Sequence, residues 1–441
     1  MLRCADPVLM SAKTNPERTA ATWFVALYST VLMVVFSVAA IGLIGTPIQF
    51  ILKDQLHLKP TQISYFTLLT DSPLFIGFAF GFLRDRWRPF GKGDQGYFLA
   101  VPILLALVYL WLGSARFTFW SFAVGMIVLS ILSAILGAAA QGLLASIAKE
   151  HGMAGRLSVV TLVTARGAMM YSAALGGWLG DPGSHLPPNA PFIASAIMCL
   201  PVLIMAVWRP KSIFRSGNEV FVSVVPEGAM AAVDRLVRHK AIYLPAAMVF
   251  LFEFAPGWGT PLMFFLTDKK HLTEAQYGAS QGWLRLGTVL AAFSYSWLCT
   301  RLKLRPLLIW GTFLAVLGAP AFLLIRSAGM ANGVSFFAGV SCGIALGSYY
   351  DLLMRCCPKE LEGVAFMLTA SMFSIAADTS DLAGSKLFER GGFELALVIS
   401  TIFTALIWIP IFFVPRNITE LAEGERIVDS DGPVAESLAT A

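Results

Sequence analysis

The sequence contains few charged residues. Asp, Glu, Lys and Arg make up only 13% of its 441 residues, whereas soluble globular domains carry about 25%. Hydrophobic residues reach 57%, and the mean hydropathy of the chain is +0.71. This balance excludes an ordinary soluble domain and predicts an integral membrane protein.

Motifs for enzymatic chemistry are missing as well. The chain has no Walker A loop, no dinucleotide-binding glycine fingerprint, no His-Glu-x-x-His and no nucleophile elbow. Its six cysteines lack metal-ligand spacing, and we expect them to be free thiols. We therefore expect no enzyme activity, no cofactor and no metal site. Any uphill movement of a solute would then draw on an ion gradient.

The basic residues do not point to nucleic acid. The net charge of +5 comes from Lys and Arg that border apolar runs, whereas a nucleic-acid-binding domain gathers its charge on one soluble face. Because Lys and Arg near helix ends favour the cytoplasmic side, their distribution places both chain termini in the cytoplasm. We expect a multi-pass protein of a bacterial inner membrane, in contact with lipid and not with nucleic acid.

Twelve apolar runs are long enough to cross a bilayer, which takes about 20 residues of helix. Their predicted bounds are 22–51, 61–83, 97–114, 119–147, 157–180, 191–208, 241–267, 275–299, 307–326, 332–354, 365–388 and 394–414. The start of the chain lacks a signal-peptide cleavage pattern, so the first run is expected to stay in the protein. The expected fold class is an all-α integral membrane protein with twelve transmembrane helices.

A long repeat divides these helices into two sets of six. The segment GTPIQFILKDQLHLKPTQ at 45–62 returns 214 residues later as GTPLMFFLTDKKHLTEAQ at 259–276, with nine of eighteen positions identical. Such a repeat predicts two homologous bundles, and transporter substrate sites lie between repeats of this kind near the bilayer midplane. The predicted domains are a cytoplasmic segment 1–21, a six-helix bundle 22–208, a cytoplasmic linker 209–240, a second six-helix bundle 241–414 and a disordered cytoplasmic tail 415–441.

Several sequence fragments resemble known transporters. Residues 81–92, GFLRDRWRPFGK, resemble the loop between helices two and three of the major facilitator superfamily, with Gly, Asp and basic residues at similar spacing. Residues 50–56, 250–265 and 358–363 are similar to the folate-biopterin transporter family. The resemblance implies two pseudo-symmetric six-helix bundles that transport a small organic solute by alternating access.

The loop that resembles the superfamily holds three candidates for a gating motif. Asp85 can accept hydrogen bonds or pair with a cation or a helix N-terminus, and Gly81 lets a neighbouring helix approach closely. Arg86 completes the motif. The alternative for Arg84, Arg86 and Arg88 is that they only bind anionic lipid headgroups and set the topology. The second half has Thr300 at the position of Asp85, so a symmetric gate is not expected.

Ionisable residues within the predicted spans are few. An unpaired charge at the bilayer centre costs at least about 2.5 kcal/mol, so such residues usually mark a site or a buried pair. Away from the span ends they are Asp71, Arg166, Glu253, Arg285, Asp351, Asp378 and Asp381. Lys386 lies closer to the outer end of its span, and we expect its side chain to extend to the membrane surface. The repeat offset aligns Arg285 with Asp71, so the two halves carry opposite charges at one structural position.

The resemblance also implies how these charges are arranged. In the superfamily, helices two and eleven meet across the bundle interface, as do helices five and eight. Asp71 would then face Asp378 and Asp381, and Arg285 would face Arg166, which gives the cavity an acidic wall and a basic wall. Two arginines can hold a carboxylate bidentately, and carboxylates can accept N–H donors from a flat heterocycle. The alternative for the arginines is a structural salt bridge to Glu253 or Asp351 without any ligand, and a purely structural role is also the alternative for Asp71.

The seventh predicted span adds further candidates. Trp258 offers a stacking surface for a flat ring, although ordinary packing is the alternative. Glu253, flanked by phenylalanines near the middle of the span, is the first candidate for carrying a coupling proton, and Asp351 is the second. Pro256 stands near two glycines and a second proline and predicts a kink. The kink should be sharper than in the first span, where Gly42 takes its place.

The expected function is secondary active transport of a small organic solute, coupled to a proton. A pterin or folate is favoured by the resemblance and by the polarised cavity. Another organic anion or a cell-wall sugar-peptide is the alternative solute, and a non-transporting assembly factor or receptor is the alternative from another class. The expected partners are the small-molecule substrate, the coupling ion and membrane lipid, while the sequence leaves the oligomeric state open.

Overall fold

The computed structural model describes residues 16–87, 89–115, 118–151, 154–208, 234–235, 238–356 and 362–414. Every regular element in these ranges is a helix. Three predicted segments lie wholly or mostly outside them: the N-terminal segment 1–21, the linker 209–240 and the tail 415–441. The structure therefore describes mainly the two predicted helical bundles.

Nine α-helices form in the first half of the chain, and seven are described in the second half. The first nine are α1 (Pro16–Ile41), α2 (Gly45–Phe50), α3 (Pro60–Asp71), α4 (Gly77–Arg86), α5 (Asp94–Ser114), α6 (Phe119–His151), α7 (Ala154–Gly180), α8 (Ala190–Met198) and α9 (Leu200–Trp208). The others are α10 (Tyr243–Glu253), α11 (Thr260–Phe264), α12 (Glu274–Leu298), α13 (Leu304–Gly318), α14 (Ala328–Arg355), α15 (Glu362–Leu406) and α16 (Trp408–Phe413).

Interruptions by glycine and proline split several predicted spans into shorter helices. The first span breaks between α1 and α2, where Gly42 has a φ of 66°. A 3-10 turn at Ser72–Ile76, with a proline near its start, separates α3 from α4 in the second span. Within α15 the backbone leaves helical geometry at Gly391 and Gly392, so this element holds the eleventh predicted span and much of the twelfth.

Seven stretches of the described residues are long and apolar enough to cross a membrane. They are Leu27–Gln55, Asp94–Ser114, Phe119–Leu144, Ala190–Trp208, Leu304–Leu324, Ala328–Leu353 and Ser371–Phe413. The second, fifth, seventh and eighth predicted spans are not among them. These four spans hold Asp71, Arg166, Glu253 and Arg285. A helix that faces a polar interior does not need to be apolar all round, since charged residues in membranes face such interiors.

Helices of each half pack mainly on one another and form two bundles. In the first bundle, α1 lies against α6 and α7, while α5 lies against α6, α8 and α9. In the second bundle, α14 lies against α12 and α13, and α15 contacts α10. Two tyrosine hydroxyls join helices inside the first bundle. The Tyr28 hydroxyl donates to the Met205 carbonyl at 2.7 Å, and the Tyr109 hydroxyl donates to the Ala39 carbonyl at 3.2 Å.

The repeated segments adopt the same local structure. Each begins with a short α-helix, α2 or α11, and continues as a π-helix, at Ile51–Gln55 and Phe265–Lys269 respectively. His57 and His271 both have left-handed backbones, with φ of 50° and 57°. We call the end of the molecule that holds both segments the repeat end.

The helix break in the second bundle is the longer of the two. In the first bundle, α1 ends at Ile41 and α2 begins at Gly45, whereas α10 ends at Glu253 and α11 begins only at Thr260. Gly257 lies in the second break and has a φ of 113°. The seventh span is therefore interrupted over more residues than the first, and the sharper bend of this span stays a prediction.

Candidate functional site

Three predicted carboxylates come together between the bundles. Asp71 lies at the end of α3 in the first bundle, and Asp378 and Asp381 lie on α15 in the second. Asp378 is near enough for the charges of both other groups to act on it. Its Oδ2 atom is buried and receives no hydrogen bond from the described residues. Within the described ranges, the one hydrogen bond to Asp71 is a long contact of 3.5 Å from the Ser130 hydroxyl.

Asp381 differs from the other two because both of its carboxylate oxygens accept hydrogen bonds from the protein. Oδ1 accepts the backbone N–H of Thr260 at 2.6 Å, and Oδ2 accepts the hydroxyls of Thr260 at 2.7 Å and Ser64 at 2.5 Å. Thr260 opens α11, so Asp381 caps that helix, and Ser64 belongs to α3 in the other bundle. A side chain at Gly259 would overlap this carboxylate, since its Cβ would lie 2.2 Å from Oδ1. Asp381 therefore connects the bundles through both of its oxygens, and its role in solute binding stays a prediction.

The two predicted arginines form the other group. Arg166 lies on α7 and Arg285 on α12, in different bundles, and their positive charges act on each other. Glu253, at the end of α10, is near enough for its charge to interact with both. No salt bridge involves either arginine within the described ranges. The group thus sets two positive charges against one negative charge.

Asp351 is held away from this group. Its carboxylate accepts Nε and Nη2 of Arg355 at 2.8 and 3.1 Å, and it accepts the Tyr295 hydroxyl at 2.9 Å. The ion pair joins residues four apart on α14, a favourable spacing on a helix. A role for Asp351 in proton coupling would require this ion pair to break.

Trp258 is held by contacts inside the second bundle. Its Nε1 donates to the Ser400 hydroxyl at 3.0 Å, and its ring meets Phe322 edge-on with centroids 5.3 Å apart. These contacts match the packing interpretation of this tryptophan. Near Glu253, the rings of Phe252 and Tyr349 also pack edge-on, 5.6 Å apart.

At the repeat end the two bundles are in direct contact. Lys53 forms a salt bridge with Asp268 and donates to the Thr267 hydroxyl at 2.5 Å. On the α7–α12 side, a Cβ on Gly177 would lie 2.9 Å from the Cα of Gly278. The bundles therefore meet through polar side chains on the α3–α15 side and through glycine backbones on the α7–α12 side.

These residues, which join the bundles at the repeat end, were not predicted from the sequence. Lys53 and Thr267 occupy the same repeat position, 214 residues apart, and touch each other across the interface. Ser64 and Gly278 also share one repeat position, and each lies at a separate contact between the bundles, with Asp381 and Gly177 respectively. The repeat positions where the two copies differ were the available signal.

The predicted gating motif is only partly described. Gly81 lies in α4, whereas the side chains of Asp85 and Arg86 are outside the part of the chain that the structure describes. The neighbouring Arg84 donates Nε and Nη2 to the Asp94 carboxylate at 2.7 and 2.8 Å, which joins α4 to α5. Arg84 thus has a structural partner within the first bundle, in contrast to the lipid-anchoring alternative.

Comparisons with known proteins agree with this architecture. A family profile of the Major Facilitator Superfamily matches residues 30–377. A folate-biopterin transporter of Synechocystis sp. is 23% identical over 379 residues, which cover 81% of this chain and 74% of that protein.

Solved structures share the fold at low sequence identity. A D-xylose-proton symporter has a TM-score of 0.65 at 11% identity and covers 88% of this chain and 97% of its own. The nucleoside transporter NupG has a TM-score of 0.65 at 10% identity, with 88% and 98% covered. A bacterial homologue of the human lysosomal transporter Spinster, inward-facing and unoccupied, has a TM-score of 0.64 at 13% identity, with 91% and 97% covered.

These findings settle the class of the protein. The expected fold is confirmed, and so is the expectation of a multi-pass membrane transporter instead of an enzyme. The chain belongs to the Major Facilitator Superfamily, a family of membrane transporters of small solutes.

Proposed function

We propose that this transporter carries an organic anion with a flat, N–H-rich head, a pterin or folate being the favoured example, and that a proton drives its movement. The observation that carries the proposal is the polarised interior. Arg166 and Arg285 lie on one side, and Asp71 and Asp378 lie on the other, with one member of each pair in each bundle. A solute that bridges such groups would contact both bundles at once.

The arginine group supports binding of a negative charge. Arg166 and Arg285 repel each other across the interface, and Glu253 compensates only one of the two positive charges. An anionic solute supplies the missing charge, and a carboxylate suits the planar donor fork of arginine. Binding of the anion would therefore draw the bundles together on this side.

The acidic group supports binding of N–H donors. Asp71 and Asp378 face each other from different bundles, and the buried Oδ2 of Asp378 lacks a hydrogen-bond partner among the described residues. A buried polar atom without a partner carries a free-energy penalty that a ligand donor removes. Two adjacent N–H groups on a heterocyclic ring can donate such hydrogen bonds to a carboxylate. The folate-biopterin transporter among the relatives supports this class of solute.

Glu253 is the proposed carrier of the coupling proton. While the site is empty, ionised Glu253 is the counter-ion of the two arginines. A solute carboxylate that binds the arginines takes over this role, so Glu253 can accept a proton in the same step. When the solute leaves, Glu253 releases its proton and is again the counter-ion of the arginines. Movement of the solute is thereby coupled to movement of the proton. Asp351 serves the structure through its bond to Arg355 and is the second choice.

The proposed orientation follows from the basic residues. Both termini and the linker would face the cytoplasm of a bacterial inner membrane, because Lys and Arg near helix ends favour that side. The repeat end would then face outwards, and the bundles are in contact there. The structure would represent a state that is closed to the outside.

Ligand-induced stabilisation tests the solute class. The purified protein is heated with folate, with pterin lacking an acidic tail, with a dicarboxylate and with a sugar, since a bound ligand raises the unfolding temperature by mass action. We expect folate to stabilise the wild type and its affinity to fall about tenfold or more in Arg285→Gln, in line with a lost charged hydrogen bond. Arg326→Gln, at an exposed position, is the matched control.

Uptake into proteoliposomes completes this test. Arg166→Gln and Arg285→Gln should lose uptake of the stabilising anion, while the control keeps it. If both variants reach the membrane and transport every anionic solute as the wild type does, the arginines do not bind the solute. If the sugar alone stabilises the protein, the pterin assignment is wrong.

A further inference from the structure

A buried carboxylate lies between the bundles at the repeat end. Glu274 is the first residue of α12, is only 7% exposed and has no hydrogen-bond partner on Oε1 among the described residues. That oxygen lies against the backbone of Gly180 in the first bundle, where a Cβ would come within 2.1 Å of it. Pro47 borders the same space. The first bundle thus provides a niche that fits the Glu274 carboxyl only when the bundles are together.

A second carboxylate next to this niche caps α12 across the interface. Asp181 follows α7, and its Oδ2 accepts the backbone N–H of Ala275 at 2.9 Å, while Oδ1 accepts the N–H of Gly183 at 2.7 Å. A negative charge at a helix N-terminus is favourable because it meets unpaired N–H groups and the positive end of the helix dipole. Asp181 therefore holds the second bundle to the first as long as it is ionised.

The pKa values of Glu274 and Asp181 are shifted in opposite directions. Burial raises the pKa of Glu274 to about 8, and the neighbouring carboxylates Asp181 and Asp54 add to the effect. Partial burial raises the pKa of Asp181, but hydrogen bonds from Ala275, Gly183 and Thr273 lower it by more. The pKa of Asp181 is therefore lowered overall. The closed arrangement thus favours a neutral Glu274 beside a charged Asp181.

We propose that Glu274 is a proton-binding site of the gate at the repeat end, separate from Glu253, and that closure of this end requires Glu274 to take up a proton. The charged groups that act on Glu274 are Asp181 at the end of α7 and Asp54 on the π-helix after α2, and both are acidic. Gly180 and Pro47, which border the carboxyl, carry no charge. Among the described residues, an ionised Glu274 would lie beside two carboxylates with no cation acting on it.

The linkage has a definite sign. When the bundles separate, Glu274 meets water and regains its ordinary pKa near 4.5. Between that value and about 8 the closed state holds one more proton than the open state, so closure weakens as pH rises through this window. One proton corresponds to about a tenfold change in the open-to-closed ratio per pH unit. The Asp181 contribution to closure is lost only in acid, below its ordinary pKa of 3.8.

The repeat gives this site a further property. The position equivalent to Glu274 in the first half is Pro60, which also opens a helix but has no ionisable group. The proton site is therefore present in one half only. This inference rests on the proposed alternating-access cycle, but its test contains no solute, so it succeeds or fails independently of the substrate assignment.

Pulsed electron paramagnetic resonance measures the gate directly. Spin labels at the exposed positions 186 and 271, on opposite bundles at the repeat end, report their separation between pH 5 and pH 9. We expect the wild type to be closed at pH 5 and to open progressively towards pH 9. Glu274→Gln, which mimics the protonated group, should stay closed throughout. Gly180→Ala should weaken the pH response, because its methyl group displaces the Glu274 carboxyl from the niche.

Glu394→Gln provides the matched control, since this side chain is 60% exposed at the same end of the protein. It should follow the wild-type pH response. A wild-type separation that does not change between pH 5 and pH 9 would overturn the proposal. The same conclusion would follow if Glu274→Gln opened with pH as the wild type does.

Discussion

Ser64→Ala measures how much one buried hydroxyl contributes to closure of the repeat end. Ser64 is fully buried on α3, and its hydroxyl donates to Oδ2 of Asp381 on α15 at 2.5 Å. It also lies 2.6 Å from the Ser385 hydroxyl. Asp381 keeps both of its bonds to Thr260 when Ser64 is removed, so the cap on α11 stays in place. The variant loses the bonds from Ser64 to α15, whereas the contacts of Lys53 with Thr267 and Asp268 remain.

The size of the effect follows from the charge on the acceptor. A hydrogen bond to a charged group contributes about 1.5–3 kcal/mol, and every 1.4 kcal/mol changes an equilibrium about tenfold. Because the bond between Ser64 and Asp381 exists only when the bundles meet, nearly all of this free energy enters the open-closed equilibrium. The open-to-closed ratio should therefore rise by about 10- to 100-fold.

Spin labels at the exposed positions 59 and 390, on α3 and α15 sides of the contact, report this ratio. Ser280→Ala is the matched control because Ser280 is equally buried but donates to the Tyr277 carbonyl of its own helix at 2.8 Å. We expect a new, longer distance in Ser64→Ala and the wild-type distance in the control. Identical distance distributions in the two variants would refute the argument that this hydrogen bond holds the gate.

Two further predictions concern coupling and helix contact. Glu253→Gln should abolish proton-driven accumulation in proteoliposomes but spare solute exchange, and an equal loss of both activities would contradict its role as proton carrier. Gly278→Ala should keep the repeat end open, because its Cβ would lie 2.5 Å from the Ala173 carbonyl oxygen. Labels at 186 and 271 measure this opening. Gly329→Ala, whose methyl group meets open space, is the control, and equal distances in both variants would show that the glycine contact does not limit closure.

The apolar pattern and the repeat were sufficient to predict the helical fold. Neither signal depends on knowing how the helices pack. A helix must shield its backbone within the bilayer, which explains the apolar pattern. The two copies of the repeat adopt equivalent backbones, including the π-helices after α2 and α11. The pairing of Asp71 with Asp378, and of Arg166 with Arg285, needed the family resemblance in addition. No spacing within one segment predicts which helices meet across a bundle interface.

Hydrogen-bond partners were the least predictable part of the site. Asp381 is bonded to Ser64, 317 residues earlier in the chain, so its engagement depends on how the bundles pack. Asp351 is a different case, because Arg355 follows four residues later on the same helix. That spacing is favourable for an ion pair, and it was a signal against a free proton carrier at this position.

Pseudo-symmetry explains why the two copies of the repeat differ where they do. Near the symmetry axis, the same position of each copy meets itself: Lys53 contacts Thr267, and it pairs with the next residue, Asp268. A lysine in both copies would set two like charges side by side at this contact. Away from the axis the constraint changes, because Asp71 and Arg285 each face a different helix of the other bundle. There the copies are free to diverge in charge, and opposite charges at one repeat position are what a solute with two unlike ends would require.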